Sequence, residues 1–427
     1  MEELMQYVWL HRLWPPGTMT TNDGRPVAVI DVGRLNRDSG PDFFNAKVRI
    51  GEETWCGNVE IHVRASDWHR HGHDGDPAYD SVILHVVQTD DCAIRVSDGR
   101  ELPQIVLSCA RDFSQRYAEF VNNPANTLAC AREIREMTPV MIRDWLDAMA
   151  FERLYAKAET ILGRVERFGG DWEQAAFVTL ARALGAGING DAFERIGQSL
   201  PLRLIYKHAD SLLSLEALIF GQSGLLEDAQ GPYPEQLRRE YAFLADKFSL
   251  RAPEGILWHF SRMRPTSFPH RRLAALAMML HRPEGFPLLQ HLLDCADEDA
   301  ARELFRFDLT GFWTSHFNFA GTGSASRPAA LGAATVDMLI INVVAPMMMA
   351  YSMHVSDDEL GERAVAILER LPGERNRYTA DFIAAGVPCP NALTSQAMVQ
   401  VHTQYCDVRK CLYCRLGHRL LAAKVKP

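Results

Sequence analysis

From Asn45 to Ile50 and from Trp55 to Arg64, apolar residues take every second position, and this alternation fixes what the front of the chain can become. Ala46, Val48 and Ile50 share one face of the first stretch. Trp55, Gly57, Val59, Ile61 and Val63 share one face of the second, leaving Asn58, Glu60, His62 and Arg64 on the other. Two strands with one apolar face each follow. Glu60 and His62 point the same way, about 6.5–7 Å apart, near enough to meet one ion or water. The surrounding block, Gly40 to Val87, also holds a Pro41-Asp42 turn and five of the fifteen histidines.

Further β signals cover Val27–Asp31, Ser81–Val87 and Gln104–Leu107, broken by Asp-Gly and Gly-Glu turns, and an amphipathic helix over Glu2–Leu13 precedes them, stopped by Pro15-Pro16. After about Arg111 the spacing changes to three and four. Helices are predicted over Met141–Arg167, Trp172–Leu184, Asp191–Gly197, Leu212–Phe220, Pro234–Lys247, His270–Leu280, Phe286–Leu293, Val336–Met353 and Asp358–Leu371. The expected fold is α+β: a helix-plus-sheet domain over residues 1–115, then a large all-α domain over 116–427 that ends in a cysteine-rich segment. No fixed-period repeat makes it a solenoid. Gly321–Gly332, GTGSASRPAALG, reads as a flexible segment.

A chain of 427 residues has core enough for two or three domains. Its net charge of −9 argues against a general polyanion coat, though a local basic groove is compatible with it. The first residues have two acids and no basic run before the apolar ones, unlike a secretory signal, so the expected location is cytoplasmic. The most apolar stretch, Ala329–Met353, is interrupted by Asp337, Asn342 and Pro346 and reads as a buried helix, so no membrane partner is expected.

Two carboxylates delivered by adjacent strands, Asp42 and Glu60, are a usual way to hold Mg²⁺ or Mn²⁺ beside a phosphate. The plainer alternatives are an Asp42 turn cap and a surface ion pair of Glu60 with Arg64 or Lys47. His71 and His73, with His62 and His85 from the neighbouring strands, would suit Zn²⁺, Mn²⁺ or Fe²⁺. His85, inside the run VILHVV, reads either as a buried structural histidine or as a group facing the site alongside Glu60. At the other end Cys406, Cys411 and Cys414 cluster as C-x4-C-x2-C, whereas the other six cysteines are scattered. Three thiolates within nine residues hold a soft metal, zinc or iron–sulfur; Cys130, Cys389 and His418 are the candidates for a fourth ligand. Ser261–Leu273, SRMRPTSFPHRRL, has four arginines and no acid, so Arg262, Arg264, Arg271 and Arg272 are candidate phosphate contacts for a nucleic acid. No Walker motif, G-x-G-x-x-G or G-x-S-x-G is present.

Pro41-Asp42, seventeen residues, then Glu60-x-His62 resembles the PD-(D/E)XK phosphodiesterase pattern, in which a helix leads into a sheet carrying a Pro-Asp and then a Glu-x-Lys strand. The resemblance implies that Asp42 and Glu60 bind the metal and that His62 stands where a lysine orients the attacking water. Glu2 or Glu3 would supply a further acid, with Glu3 among the candidate site residues. It departs from the pattern at His62, since a neutral imidazole brings no fixed positive charge. Some proteins of that kind tie an upstream cysteine to three C-terminal ones around a [4Fe-4S] cluster, and Cys130 is similar in placement. Over nearly its whole length the chain resembles the bacterial family DUF2851, on the segments YVWLHRLW, SGPDFFNAKVRIG, WCGNVEIHVRASDWHRHGHDGDPAYDSVILHVV, FERLYAKAE, LEALIFGQSGLLE, RMRPTSFPHRRLAALA, SQAMVQVHTQYC and KCLYCRLGHRLL. The expected function is a metal-dependent nuclease acting through Asp42, Glu60 and His62. The alternatives are a nuclease-fold binding module without chemistry and a histidine-rich Zn or Fe hydrolase of a small molecule.

Overall fold

Seven strands form one mixed sheet near the N-terminus of the computed structural model, which describes all residues except 15–16, 18, 37–38, 109–113, 116, 120–121, 123–127, 262, 283–286, 321–329 and 423–427. The strands are β1 Met19–Thr20, β2 Pro26–Asp31, β3 Arg34–Leu35, β4 Phe43–Ile50, β5 Glu53–Arg64, β6 Val82–Thr89 and β7 Gln104–Val106. Spatial order is β1-β2-β4-β5-β6-β7, with β3 also paired to β4. β4 and β5 are antiparallel, joined by a tight turn at Gly51-Glu52; β5, β6 and β7 are mutually parallel neighbours. A parallel pair needs a crossover, and residues 65–81 supply it through the short helix α2, Asp67–Arg70, and two 3-10 turns. The sheet also curls until its ends meet: Thr21 bridges Ile105, and the Asn22 amide donates to Gln104 O at 2.8 Å.

The strand alternation holds, with Ala46, Val48, Ile50, Val59 and Ile61 fully buried against Leu4, Met5, Val8 and Trp9 of the opening helix α1, Glu2–Leu10. What alternation alone does not show is that the polar face of β5 is buried as well. Glu60 is 4 % exposed and His62 not at all, because the crossover lays Trp68 and Tyr79 over that face. Gly57 is required for this packing: a Cβ there would run into Ile83 and stand 2.8 Å from Ser81 O.

The chain divides into two compact units, and the division differs from a break at 115/116. The sheet unit comprises Met1–Trp145, Ala384–Val387 and Val401–Pro427; the helical unit comprises Leu146–Ile383 and Pro388–Gln400. The C-terminal segment is therefore not the end of the helical domain. Leu412 and Leu421 are buried in the same core cluster as α1 and the sheet, and that apolar burial draws the segment back to the first unit.

In the helical unit the long elements match the periodicity, with Trp172–Leu184, Leu212–Ser223, Pro232–Phe248, Pro269–Leu280 and Asp358–Arg370 among them. Short helices such as Leu202–Lys207, Glu298–Leu304 and Ala392–Val401 have too few turns to show a period. Among the described residues, Ala333–Val355 is long and apolar enough to cross a membrane, but Leu339, Ile340, Val343, Val344, Met347 and Met348 are fully buried, as for a core helix. Its middle, Ile340–Val344, is a π-helical turn. Most of the predicted 321–332 segment, and Arg262, lie outside the described residues.

Candidate metal centre

β5 delivers Glu60 and His62 side by side, β6 delivers His85, and the crossover returns His71 and His73 to them. His62, His71 and His73 each offer one ring nitrogen within 4.8 Å of the other two. His62 Nε2 is 3.1 Å from His71 Nδ1. Glu60 Oε1 lies 3.5 Å from His62 Nε2 and 3.3 Å from His73 Nε2. His73 Nε2 is buried and makes no hydrogen bond, so its approach to Glu60 has the distance of an ion pair without hydrogen-bond alignment. Metal–nitrogen bonds of about 2.0–2.1 Å in a tetrahedron set donors about 3.3 Å apart, the spacing seen here for three of the pairs. His71 is exposed, and through it the cluster reaches solvent.

Behind the cluster the partners decide the protons. Gln104 Nε2 donates to Asp90 Oδ1 and to Cys92 O, both at 2.9 Å, which turns its Oε1 toward His85 Nδ1, also at 2.9 Å. His85 must then donate from Nδ1 and present a lone pair at Nε2. That lone pair accepts from His62 Nδ1 at 2.9 Å. His62 is left with a lone pair on Nε2, aimed at the cluster. Burial, followed by the neighbouring His85, His71 and His73, pushes His62 down to about 2, and burial pushes His85 down to about 4. Both rings are neutral at physiological pH, the state a metal ligand needs.

Asp42 is clamped beside this set. Its amide donates to Glu60 Oε2 at 3.0 Å, its Oδ2 accepts from the Ile61 amide at 3.0 Å, and its Oδ1 accepts from Gln6 Nε2 at 2.9 Å. The bonds to Glu60 and Ile61 continue the link between the two strands just beyond the end of the β4–β5 ladder at Phe43–Val59. Burial, then the charge of Glu60, pushes the Asp42 carboxyl up to about 7. The structure thus brings Asp42, Glu60 and His62 together, with His71 and His73 beside them, and puts His85 behind as the group that orients His62. Glu3 does not join them. It is exposed and its charge acts on Tyr117, whereas Glu2, about 100° away round the helix, feels His71, Glu60 and Asp67. Of the two opening acids, then, Glu2 and not Glu3 is the one near the cluster. Gln104 and Gln6 were not among the expected site residues; no local pattern marks them, because each reaches the site only through tertiary pairing.

The thiols of Cys130, Cys406, Cys411 and Cys414 lie near enough to act on one another electrostatically, although the cluster at ligand spacing among the described residues is the histidine one. Cys130 is raised by burial and then by Cys414 and Cys411; Cys406 by burial and then by Cys130, Cys414 and Cys411. Cys130 and Cys411 pack against one core cluster, and Gly417 lets the last helix, Arg415–Ala422, sit on the Cys411 carbonyl, which a Cβ would strike. Of the other fourth-ligand candidates, Cys389 belongs to the helical unit and His418 is engaged by the Tyr7 hydroxyl.

The expected arginine surface is not formed as predicted. Arg271 is 5 % exposed and Arg272 9 %, because the helix Pro269–Leu280 is enclosed on nearly every side. Arg271 Nη1 donates to Trp313 O at 2.8 Å and Arg272 Nη2 to Thr335 Oγ1 at 3.1 Å, so both are internal struts. Arg264 alone of the three described is exposed.

No curated protein and no solved structure matches the chain. A family model described as "Protein of unknown function (DUF2851)" matches residues 2–377, and the chain belongs to that family.

Proposed function

We propose that the sheet unit is a metal-dependent hydrolase of phosphodiesters, with its ion held by Glu60, His62, His71 and His73. The observation that carries this reading is the set of imidazole nitrogens and the Glu60 oxygen gathered at ligand spacing, with His62 Nε2 stripped of its proton by the Gln104–His85 chain. A hydrogen bond to the ring nitrogen that faces away from the ion fixes the tautomer and orientation of a metal-ligating histidine. A bound ion would lower the pKa of a water and stabilise the negative charge that develops on the phosphoryl oxygens. His62, the expected water-orienting base, has no basic nitrogen to spare once its lone pair faces the ion. Asp42, held near neutrality, is the group placed to take and return a proton. The order of an opening helix, the short strands β1 to β3, Asp42 at the entry to β4, Glu60 on β5, a crossover and the parallel β6 supports a PD-(D/E)XK-like arrangement, to which the meeting of the sheet ends is an addition. Nucleic acid is the substrate class proposed. The four neighbouring cysteines we assign to a separate thiophilic centre, zinc or iron–sulfur, with a structural role, which a bound ion would draw together.

The test is metal analysis of anaerobically purified protein together with hydrolysis of bis(p-nitrophenyl) phosphate and of single- and double-stranded DNA in Mn²⁺, Mg²⁺ or Zn²⁺. The wild type is expected to hold an ion that Glu60→Gln and His73→Ala release, and Asp42→Asn is expected to keep the ion but lose about 100-fold or more in rate. A bound ion with no hydrolysis would leave a metal-stabilised binding module. No ion at all would sink the proposal.

A further inference from the structure

The helical unit contains a cavity of about 550 Å³, a volume typical of small-molecule sites. Its wall carries Arg153, Lys157, Arg164 and Arg182 and no acidic side chain. Two of these cations are neutralised from behind: Arg164 is 3.0 Å from Glu194 Oε1, and Arg182 is 2.6 Å from Asp191 Oδ1 and also touches Glu194. Arg153 and Lys157 form no such pair among the described residues. Instead both aim a donor at one neutral oxygen, Gln396 Oε1, at 2.7 and 2.6 Å. Gln396 turns its amide nitrogen away to Glu374, so that carboxylate stands behind a neutral side chain.

Lys157 Nζ has two further acceptors, Asn342 Oδ1 at 2.8 Å and Ile341 O at 3.3 Å. Asn342 is held in that orientation by donating from Nδ2 to Met338 O at 2.8 Å. Both residues belong to the π-helical turn Ile340–Val344, a local break in α-helical bonding of the sort that recurs at functional sites. Packing two like charges on one neutral oxygen is costly, and burial, then the charge of Arg153, pushes Lys157 down to about 7. A dianion in the cavity would relieve that repulsion, and Thr160 and Thr179 add hydroxyls to the wall. The demand is for an anion with two charges and several acceptor oxygens, which is the chemistry of a phosphate group.

We propose that this cavity binds a phosphate-bearing small molecule of about mononucleotide size, with Arg153 donating to the phosphate and Lys157, whose three N–H groups are already engaged, supplying positive charge beside it. The site is separate from the metal centre in residues and chemistry, so it is tested on chelator-treated full-length protein. Calorimetric titration at matched ionic strength would compare inorganic phosphate, adenosine monophosphate and adenosine on wild type, Arg153→Gln and Lys157→Met, with melting curves to verify that the variants fold. Phosphate-dependent binding at least tenfold weaker in both variants is expected. Equal affinity for inorganic phosphate and the nucleotide would identify the phosphate itself as the ligand, and tighter nucleotide binding would identify a nucleotide. No binding of either probe to wild type, or binding unchanged in both variants, overturns the proposal.

Discussion

A single amide, Gln104, controls two imidazoles, because both donors of its nitrogen are taken by Asp90 and Cys92. Gln104→Leu is therefore expected to leave the sheet folded yet weaken metal binding about 10–100-fold, read by chelator competition. Unchanged affinity would mean that His62 needs no such orientation. Elsewhere, burial pushes the Glu216 carboxyl, 2 % exposed and in contact with the Tyr233 hydroxyl, up to about 7. Folded Glu216 keeps its proton over a range where the unfolded chain has released it, so stability falls as pH rises from about 4.5 to 7. Glu216→Gln is expected to abolish that slope and to stabilise the protein at pH 8 by an amount on the order of 3 kcal/mol at most. Urea midpoints at pH 5 and pH 8 decide it, and equal gains at both would refute it. That Glu60 and His62 share a face was legible in the sequence because strand parity is a local property, whereas Asp42 was marked by its Pro-Asp turn alone. The burial of Arg271 and Arg272 was not, since four arginines without an acid look alike on a surface and in a core that offers carbonyl acceptors.

At the scale of elements, the parallel pairing of β5 with β6 forces a crossover, and the crossover is the histidine-rich segment itself. Strand positions were readable from period two and long helices from their apolar spacing. The pairing of non-adjacent edges, Thr21 with Ile105, depends on contacts far apart in sequence and left no local mark. Gly57 sits where β5 and β6 come too close for a Cβ. Gly57→Ala is expected to cost about 1–3 kcal/mol by overpacking, measured by thermal or chemical unfolding, with metal binding reduced in step because Glu60 and His62 share the strand. A neutral substitution would show that Ile83 can shift freely.

At the scale of the whole molecule, the sheet unit is assembled from three separate stretches of chain, with Cys130 in the first and Cys406, Cys411 and Cys414 in the last. If the four thiols form one centre, Cys130→Ala and Cys411→Ala must lose the same thiophilic metal and lower the melting temperature by similar amounts. Loss in only one of the two would divide the set. The sequence placed these cysteines in a helical tail because spacing says nothing about which core a returning segment will join. That return has a consequence in time. During synthesis the ribosome makes the strands and histidines first, then more than two hundred residues of another unit, and only afterwards the segment that completes the first core. The early unit must wait, incomplete and with Cys130 not yet joined by the other three, which makes the interval before the returning segment is made the one most exposed to oxidation, aggregation or a missing metal supply.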